Sequence, residues 1–431
     1  AAFEENIRAE LRDNLLRIRH HACLGLLCGN NEMELGWVGW EDVVTHHPAL
    51  KADYIKMFEY VISQEAQINA PDVFYWPSSP SSGGSFDDPN AENRGDVHYW
   101  DVWHRMKPFT DYEKFYFRFC SEFGFESFPG RKTIETFTEP SDRNIFSPVM
   151  ESHQKNGAAN GLIMFYISSY YRYPKDFDSL LYISQLLQAE AMRHGVEHWR
   201  RNRGRCMGAI YWQLNDCWPV ASWASIDYFG RWKALHYYAR RFFSPRMVTA
   251  KAEDAKLRMW VHNDSRTALE GTVEVELRDT AYGLLAHMEV PVQVPPLSVT
   301  ELDPVDFMQE LAERGQDTVF VAYRLCEKNN TGAYASTLFC RPKQMELPRP
   351  NYTVHVLDCG NVFDIYVKSD CYAHQVEIET NLTDRPFSDN YFSLCTPQGV
   401  HVALEKDSVA PGVTAEQLRE SLQVRSVADT F

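Results

Sequence analysis

Two glutamates in this chain follow short apolar runs and could act together in catalysis. Glu32 ends the stretch 26–32, where Leu26-Leu27-Cys28 gives way to a glycine and two asparagines. Glu122 ends the comparable stretch 117–122. Buried strands of a parallel sheet read as continuous apolar runs, and barrel folds place their chemistry at the C-terminal strand ends. One carboxyl could protonate a leaving oxygen while the other attacks an anomeric carbon, as in a retaining glycosidase.

Each glutamate also has an interpretation without catalysis. Glu32 follows two asparagines, and Asn and Glu are common at helix caps and in first turns. Glu122 could be a strand-end carboxylate that pairs with Arg118 or Arg131. Gly124 permits a sharp bend after Glu122, which favours a site.

Several other residues are predicted to be structural. Glu34, Glu41 and Asp42 are interpreted as a solvated acidic helix start, and Asp216 as a partner of a loop amide. No metal is predicted at His46-His47, because no carboxylate or cysteine falls at ligand spacing. The tryptophans expected in the core are Trp218, Trp223 and Trp232.

Helical and strand patterns alternate through the first half of the chain. Periodic apolar positions predict helices over residues 3–18, 51–67, 110–116 and 177–201. Apolar runs predict strands at 26–32, 73–76, 96–100, 117–122 and 207–216. This order predicts a parallel sheet and a (β/α)8 (TIM) barrel. A complete barrel takes about 250 residues. Only five strands fit before Arg241, so the barrel is expected to be partial.

Beyond Ser244-Pro245 the residues alternate with period two, which indicates antiparallel strands with one buried face. A Pro-rich joint near Leu347 divides this part into two modules, each of a length that suits a β-sandwich. The prediction is a multidomain chain, α/β then all-β. It has a catalytic domain over 1–243 and immunoglobulin-like sandwiches over 244–346 and 347–431.

Composition limits the partners and the compartment. A net charge of −16 argues against nucleic acid and against an anionic membrane surface. Ten cysteines without CxxC spacing predict buried, reduced thiols and a cytoplasmic location, although four N-x-S/T triplets point the other way. No apolar run is long enough to span a membrane. The chain opens inside an amphipathic helix, so a preceding segment is expected.

Four motifs carry a resemblance to a known family. They are Cys28-Gly29-Asn30-Asn31-Glu32, Tyr75-Trp76-Pro77-Ser78-Ser79-Pro80, Ser121-Glu122-Phe123-Gly124-Phe125-Glu126-Ser127 and Tyr211-Trp212-Gln213-Leu214-Asn215-Asp216-Cys217-Trp218-Pro219. In this order they resemble the β-mannosidases of glycoside hydrolase family 2. The resemblance implies exo-cleavage of a terminal β-D-mannosyl residue with retention and without a cofactor.

Residue roles follow from the same resemblance. It implies that Glu32 is the acid/base at the end of barrel strand four and Glu122 the nucleophile at the end of strand seven. The implied sugar contacts are Asn31 at the 2-hydroxyl, Trp212 as the floor of the −1 subsite, Trp37 and Trp40 at the pocket mouth, and His98 and Tyr99 on the sugar or the nucleophile.

The chain departs from the family pattern at its beginning. Family members carry a jelly-roll domain, a first immunoglobulin-like domain and three barrel strands before the part that matches here. The expected partners are therefore a mannoside or manno-oligosaccharide and either the missing N-terminal part or a second copy.

Two alternatives to this function stay open. One is another exo-β-glycosidase of the family, acting on galactosides, glucuronides or glucosaminides. The other is an inactive carbohydrate-binding fragment.

Overall fold

The computed structural model describes residues 2–40 and 48–431. The chain forms two compact units with interleaved segments. Unit 1 comprises Ala1–Val102, Thr110–Phe123 and Asn202–Tyr211, and unit 2 comprises Trp103–Phe109, Gly124–Arg201 and Trp212–Phe431. The boundaries at 243 and 346 stay a prediction. Glu41, Asp42, His46 and His47 lie outside the described residues.

Helices of unit 1 confirm the periodicity of the sequence. They are α1 (Ala2–Ile18), α2 (Met33–Gly39), α3 (Pro48–Tyr54), α4 (Ile62–Asn69) and the beginning of α5 (Asp101–His104). A π-helical segment, Ile55–Val61, joins α3 to α4, so the helix predicted over 51–67 forms as one helical stretch. The Arg8 guanidinium of α1 binds the Glu65 carboxylate of α4 at 2.8 Å. The helix predicted over 110–116 is a shorter 3₁₀ turn, Phe109–Lys114.

The strands of unit 1 form two parallel pairs. They are β1 (Leu26–Cys28), β2 (Phe74–Trp76), β3 (Val97–Tyr99) and β4 (Cys120–Phe123). β1 pairs with β2, and β3 pairs with β4 with His98 opposite Glu122. Parallel pairing is confirmed, and it brings the C-terminal ends of paired strands to the same edge.

Two expectations about these strands are wrong. The stretch 207–216 forms no continuous strand: Ala209 bridges in parallel to Cys120, and Asn215 makes a separate parallel bridge to Ile226. The backbone N–H groups of Gln213 and Asp216 bond instead to carbonyls at Trp223 and Ile226, which ends any strand. β1 is not a buried strand, because Leu26 keeps 48% of its surface exposed. Within the described residues β1 pairs with β2 alone, so its other side lacks a neighbouring strand.

Unit 2 begins with helices and continues as antiparallel sheets. Its helices are α6 (Arg131–Ile134), α7 (Pro148–Ser152), α8 (Ala159–Tyr170), α9 (Phe177–Arg201), α10 (Ala234–Phe242), α11 (Met308–Arg314) and α12 (Ala415–Ser421). The predicted helix over 177–201 is confirmed as α9, which is buried along much of its length and packs against α10.

The first antiparallel module holds β5 (Arg246–Glu253), β6 (Lys256–Asn263), β7 (Leu269–Asp279), β8 (Leu284–Val294), β9 (Ser298–Glu301), β10 (Val305–Asp306), β11 (Val319–Glu327), β12 (Asn330–Thr331) and β13 (Ala335–Leu338). One sheet is built on β5 and β6 and the other on β7, β8 and β11. Val261 of one sheet and Val275 of the other belong to one fully buried core, which makes the module a β-sandwich.

The second module holds β14 (Tyr352–Asp358), β15 (Val362–Ser369), β16 (Ala373–Glu379), β17 (Phe392–Leu394), β18 (Val400–Glu405) and β19 (Gln423–Arg425). Its sheets are β14-β15-β18 and β17-β16-β19, and Ile365 and Ile378 meet in their shared core. The predicted antiparallel strands are therefore confirmed in both modules, and burial alternates along β15, whereas β11 and β16 are buried on both faces.

The thiols and the helices bear on two further predictions. All ten cysteines are free thiols, but the burial predicted for them holds for four alone, Cys120, Cys206, Cys371 and Cys395, and is wrong for the exposed Cys23, Cys28, Cys217 and Cys359. Across residues 2–40 and 48–431, no helix combines the length and the apolar character needed to span a bilayer. Asn263, one of the four N-x-S/T asparagines, is fully buried and donates to the Thr267 and Pro295 carbonyls, so it is closed to modification.

Candidate active site

Glu32, His98 and Glu122 come together in unit 1. Glu32 follows β1, His98 lies in β3 and Glu122 lies opposite His98 in β4. One side-chain atom of each residue lies within 4.8 Å of the corresponding atoms of the other two. The sequence predicted each of these residues, and the strand pairing explains why they meet.

The backbone holds Glu32 in an unusual conformation. Its φ is 59°, in the left-handed region that non-glycine residues enter only at a cost of about 1 kcal/mol or more. Its N–H donates to the Ser79 carbonyl at 2.7 Å, and its carbonyl accepts from Gly36 at 2.7 Å, which begins α2. These bonds turn the chain sharply after β1 and fix the origin of the Glu32 side chain, which keeps 15% of its surface exposed.

The two asparagines before Glu32 differ in role. The Asn30 amide donates to the Pro77 carbonyl at 2.9 Å and to the Tyr54 hydroxyl at 3.1 Å, so it fixes the loop. The Asn31 backbone bridges to Ser79, and its exposed side chain makes no hydrogen bond with the described residues. Asn31 is therefore free to bind a ligand.

Glu34 is not the solvated helix residue that the sequence predicted. It is fully buried, and its carboxylate accepts from the Tyr54 hydroxyl at 3.1 Å and the Ser81 hydroxyl at 3.0 Å. Burial raises its pKa, and these two hydrogen bonds oppose the rise. A buried hydrogen-bond network beneath α2 explains the difference, since Tyr54 also binds Asn30.

His98 connects the two glutamates to a polar network. Its Nδ1 lies 2.7 Å from Glu32 Oε1 and 3.6 Å from Glu122 Oε1. Its Nε2 lies 2.9 Å from Ser79 Oγ. The Ser79 hydroxyl donates to Asp96 Oδ2 at 2.5 Å. Both ring nitrogens are thus engaged and the ring is 96% buried, so the imidazole is fixed in place.

Glu122 is held by a residue that the sequence analysis missed. The Trp100 indole N–H donates to Glu122 Oε1 at 3.1 Å. Burial raises the pKa of Glu122; His98 lowers it, Glu32 raises it, and the Trp100 bond lowers it. The available signal was spacing, because residues two apart in a strand share a face and Trp100 follows His98 by two.

Tyr99 does not reach these carboxylates. It lies opposite Phe123 on the other face of the strand pair and is buried. Its hydroxyl donates to Asp111 Oδ2 at 2.5 Å, and its ring packs on Phe115 and Phe117. Alternation along a strand places His98 and Tyr99 on opposite faces, which corrects the expected sugar contact.

The tryptophans expected to bind sugar are accessible to different degrees. Trp40, at the C-cap of α2, is 46% exposed. Trp37 is partly buried, with its ring 5.7 Å from the Phe86 ring. Trp212 belongs to unit 2 and is 42% exposed. Trp40 and Trp212 thus keep much of their surface outside the core.

Trp218, Trp223 and Trp232 are only partly buried, contrary to the expectation of core positions. The Trp218 ring lies 4.8 Å from the His153 ring at a tilt of 34°, and Trp232 packs edge-on against His236 of α10. These rings cover loops of unit 2 rather than fill a core.

Unit 2 contains a second group of buried carboxylates, here named the Lys233 cluster: Glu126, Asp216 and Lys233. Asp216 accepts from the Ser222 hydroxyl at 2.8 Å and from the side-chain amide of Gln213, a loop residue, at 3.4 Å. The Lys233 ammonium donates to the Ser127 and Ser222 carbonyls at 3.3 Å each. Burial lowers the pKa of Lys233 to about 8 and raises that of Glu126 well above its usual range.

Among residues 2–40 and 48–431, two groups of side chains have the spacing of a metal site. They are Glu32, His98 and Glu122, and Glu274, Glu276 and His287 on the first sandwich. In the second group, Arg324 and Arg278 already pair with the two carboxylates. The chemistry expected of the first group requires no ion.

Family models match both sandwiches. A mannosidase Ig/CBM-like domain model covers residues 255–344, and an Ig-fold domain model described for mannosidases covers 347–430. These models concern the scaffold, and the carboxylates lie before both of them.

Curated relatives extend the match into the earlier part of the chain. Beta-mannosidase B of Aspergillus fumigatus is 34% identical over 328 residues, which is 69% of this chain and 38% of the relative. Beta-mannosidase B of Emericella nidulans is 32% identical over 314 residues, 66% of this chain and 37% of the relative. The chain thus spans well under half the length of these relatives.

Solved structures match nearly the whole fold. The β-D-mannosidase of Dictyoglomus thermophilum superposes with a TM-score of 0.87 at 26% identity, covering 99% of this chain and 51% of that one. An exo-chitosanase of Amycolatopsis orientalis gives 0.68 at 12% identity, over 99% of this chain and 53% of that one, and shares the fold. Fold and sequence together define a glycoside hydrolase scaffold. The chain belongs to the β-mannosidases of glycoside hydrolase family 2 and corresponds to their C-terminal part.

Proposed function

We propose that this chain carries the catalytic residues of a retaining exo-β-mannosidase that releases terminal β-D-mannose from mannosides and manno-oligosaccharides. The observation that carries the proposal is the approach of Glu32 and Glu122, whose nearest oxygens lie within 4.8 Å. Retaining glycosidases hold their two carboxyls about 5 Å apart, whereas inverting enzymes need room for a water between them. This separation favours retention.

The reaction would proceed in two displacements. Glu122 attacks the anomeric carbon while the glycosidic C–O bond breaks, and Glu32 gives its proton to the leaving oxygen. A water then gives a proton to Glu32 and attacks the same carbon, which releases Glu122. The Trp100 N–H holds the Glu122 carboxylate during attack. Asn31, exposed and unbonded among the described residues, is free for the sugar 2-hydroxyl.

Accessible aromatic surface supports a sugar as the ligand. Trp40 and Trp212 each keep more than two fifths of their surface exposed, and flat rings suit the apolar faces of pyranoses. We assign Trp37 and Trp40 to the pocket mouth and Trp212 to the floor of the −1 subsite. His98 interacts with the carboxylates rather than with the sugar. Trp100, and not Tyr99, contacts the nucleophile.

The scaffold that we propose is the second half of a (β/α)8 barrel, strands four to eight, in which β1 to β4 are followed by residues 207–210, bonded to residues 118–120, in the place of strand eight. Parallel pairing in unit 1 and the exposed strand β1 support it, because a closed barrel would cover that strand. The partner would be the N-terminal part of the same enzyme or a second copy, and an open sheet edge invites such pairing. Ten free thiols support a cytoplasmic location.

The test is hydrolysis of aryl β-glycosides by this chain, alone and with the N-terminal region of a relative supplied in trans. A panel of mannoside, galactoside, glucuronide and glucosaminide separates the family alternatives. We expect turnover of the mannoside and its loss in Glu122→Gln. Turnover of another glycoside in preference, or none under either condition, would reject the proposal, and binding without turnover would favour the inactive carbohydrate-binding module.

A further inference from the structure

The inference concerns His98 and rests on the proposed function. Its ring is 96% buried, and each nitrogen faces an oxygen: Nε2 faces Ser79 Oγ at 2.9 Å and Nδ1 faces Glu32 Oε1 at 2.7 Å. A neutral imidazole has one N–H and one lone pair, so the partners of the two nitrogens decide which nitrogen carries the hydrogen.

Counting protons around Ser79 fixes this choice. A hydroxyl has one hydrogen to donate, and the Ser79 hydroxyl lies closer to Asp96 Oδ2, at 2.5 Å, than to His98. Asp96 accepts a second hydroxyl, from Ser121, at 2.6 Å. Its other oxygen accepts from the Trp76 indole and a backbone N–H, at 3.0 and 3.1 Å. Asp96 is therefore purely an acceptor, and Ser79 can only accept from His98, which places a hydrogen on Nε2.

The consequence lies at Glu32. With a hydrogen held on Nε2, a bare Nδ1 would set a lone pair against Glu32 Oε1 at 2.7 Å, which is repulsive unless a proton lies between them. Either Glu32 is protonated and donates to Nδ1, or the imidazole carries both hydrogens. Both states contain one proton on the line between the two residues.

We propose that His98 is a positioning residue that retains the catalytic proton of Glu32, with Ser79 and Asp96 fixing its tautomer. When the glycosidic C–O bond breaks, its electron pair stays on the leaving oxygen, which takes this proton through Glu32. Glu122 supplies the electron pair of the new bond to carbon. In the second displacement the attacking water returns a proton to Glu32, and the resting pair is restored. The charged groups that face His98 are Glu32, Glu122 and, beyond Ser79, Asp96.

The first test needs no turnover. Histidine labelled with 15N in this chain reports the tautomer of each imidazole, and His98→Gln identifies the His98 signals among the 15 histidines. At neutral pH we expect a hydrogen on Nε2, with Nδ1 either bare and hydrogen-bonded or also protonated. In Ser79→Ala the neutral Nδ1–H form becomes available, and we expect the signals to move toward it. A neutral Nδ1–H tautomer in the unsubstituted chain would overturn the inference.

Ser121→Ala is the matched control. Ser121 also donates to Asp96, and its hydroxyl lies 3.2 Å from that of Ser79, but among the described residues it makes no hydrogen bond to His98. Because Ser79 keeps Asp96 as its nearer acceptor, the tautomer should stay as in the unsubstituted chain. Equal changes in Ser79→Ala and Ser121→Ala would contradict a specific role for Ser79.

A second test uses the active preparation and a mannoside with a poor leaving group. The alkaline limb of kcat/KM should move to lower pH by about one unit in Ser79→Ala, the size expected for one charge-linked hydrogen bond. An unmoved limb with full activity would refute the inference about His98 and leave the proposed function intact. Absence of mannosidase activity in the unsubstituted protein would refute the proposed function, while the tautomer measurement would still stand.

Discussion

Glu122 and Glu126 stand near each other in the sequence, but the structure surrounds them differently. Glu122 keeps 12% of its side chain accessible, accepts from Trp100 and lies beside a second glutamate without a lysine or arginine at bonding distance among the described residues. Glu126 is fully buried, and Lys233 is the cation that lowers its pKa against the effect of burial. Glu122 can therefore meet a substrate, whereas Glu126 can only stabilise or destabilise the fold.

The comparison shows that burial of a carboxylate does not by itself mark a catalytic site. Both groups have pKa values raised by burial. What sets the Glu32–Glu122 pair apart is access, a partner carboxyl within 4.8 Å, and hydrogen-bond donors that hold the side chains while leaving a face open. The same substitution in each group should separate the two roles.

The largest effect is expected for Glu122→Gln. Loss of the nucleophile should lower kcat/KM for every aryl β-mannoside by about 10⁴-fold or more, because no covalent intermediate can form. Steady-state kinetics measure it. Glu126→Gln is the matched control and should stay within about threefold of the unsubstituted protein. Comparable losses in both variants would remove the distinction between the groups.

Glu32→Ala should discriminate between substrates. A mannoside whose leaving group needs no proton should lose less than about tenfold in the first displacement, whereas a poor leaving group should lose about 10³-fold. Pre-steady-state rates with dinitrophenyl and methyl mannosides provide the comparison. Equal losses on both substrates would contradict the role of Glu32 as acid.

In the Lys233 cluster, Lys233→Met should affect stability rather than chemistry. Removing the cation leaves Asp216 buried without its charge partner, which should cost about 3 kcal/mol of unfolding free energy. Denaturant titration measures this cost. Adding Asp216→Asn should restore part of the loss, since the uncompensated charge is then gone. A variant as stable as the unsubstituted protein would show that the lysine is dispensable.

Trp100→Phe should reduce turnover by about tenfold, since it removes one hydrogen bond to a charged nucleophile and keeps the ring. The loss should appear in kcat with activated substrates, because their turnover reports the attack by Glu122 most directly. Trp40→Phe offers a control at a ring without contact to Glu122, and a larger effect on KM than on kcat is expected there.

The smallest expected effect is a pH dependence of stability. Because the folded protein raises the pKa of Glu122 above its unfolded value, the folded state binds more protons once pH rises past about 4.5. Glu122 therefore lowers stability as pH increases through that range. Glu122→Gln should gain stability relative to the unsubstituted protein as pH rises from acid to neutral. Thermal unfolding at several pH values measures the difference, and a constant offset would contradict it.

Hydrophobic periodicity in the sequence predicted most of the helices and strands that depend on local residue patterns. The helix over 177–201, the parallel pairs of unit 1 and the strands of both sandwiches follow from hydrophobic periodicity. The predicted site residues Glu32, His98 and Glu122 meet because each stands in or after a strand of the parallel set. Here local pattern and long-range pairing agree.

What the sequence did not predict depends on distant partners. Glu34 is polar and near a helix start, but Tyr54 and Ser81 bury it. The stretch 207–216 has the composition of a strand, yet after the bridge from Ala209 to Cys120 its backbone turns to bond with residues 223–226. Trp100 rather than Tyr99 contacts a catalytic carboxylate, because strand register decides which of two neighbouring residues faces the carboxylates. Each case turns on a contact between segments far apart in the chain.

The most direct test of the account is to identify the residue that becomes glycosylated. A 2-deoxy-2-fluoro-β-mannosyl fluoride should trap the intermediate in a preparation that hydrolyses aryl β-mannosides, and peptide mapping by mass spectrometry locates the label. The account predicts a single fluoromannosyl group on Glu122. A label on Glu126 or Glu32, or no label in an active preparation, would contradict it.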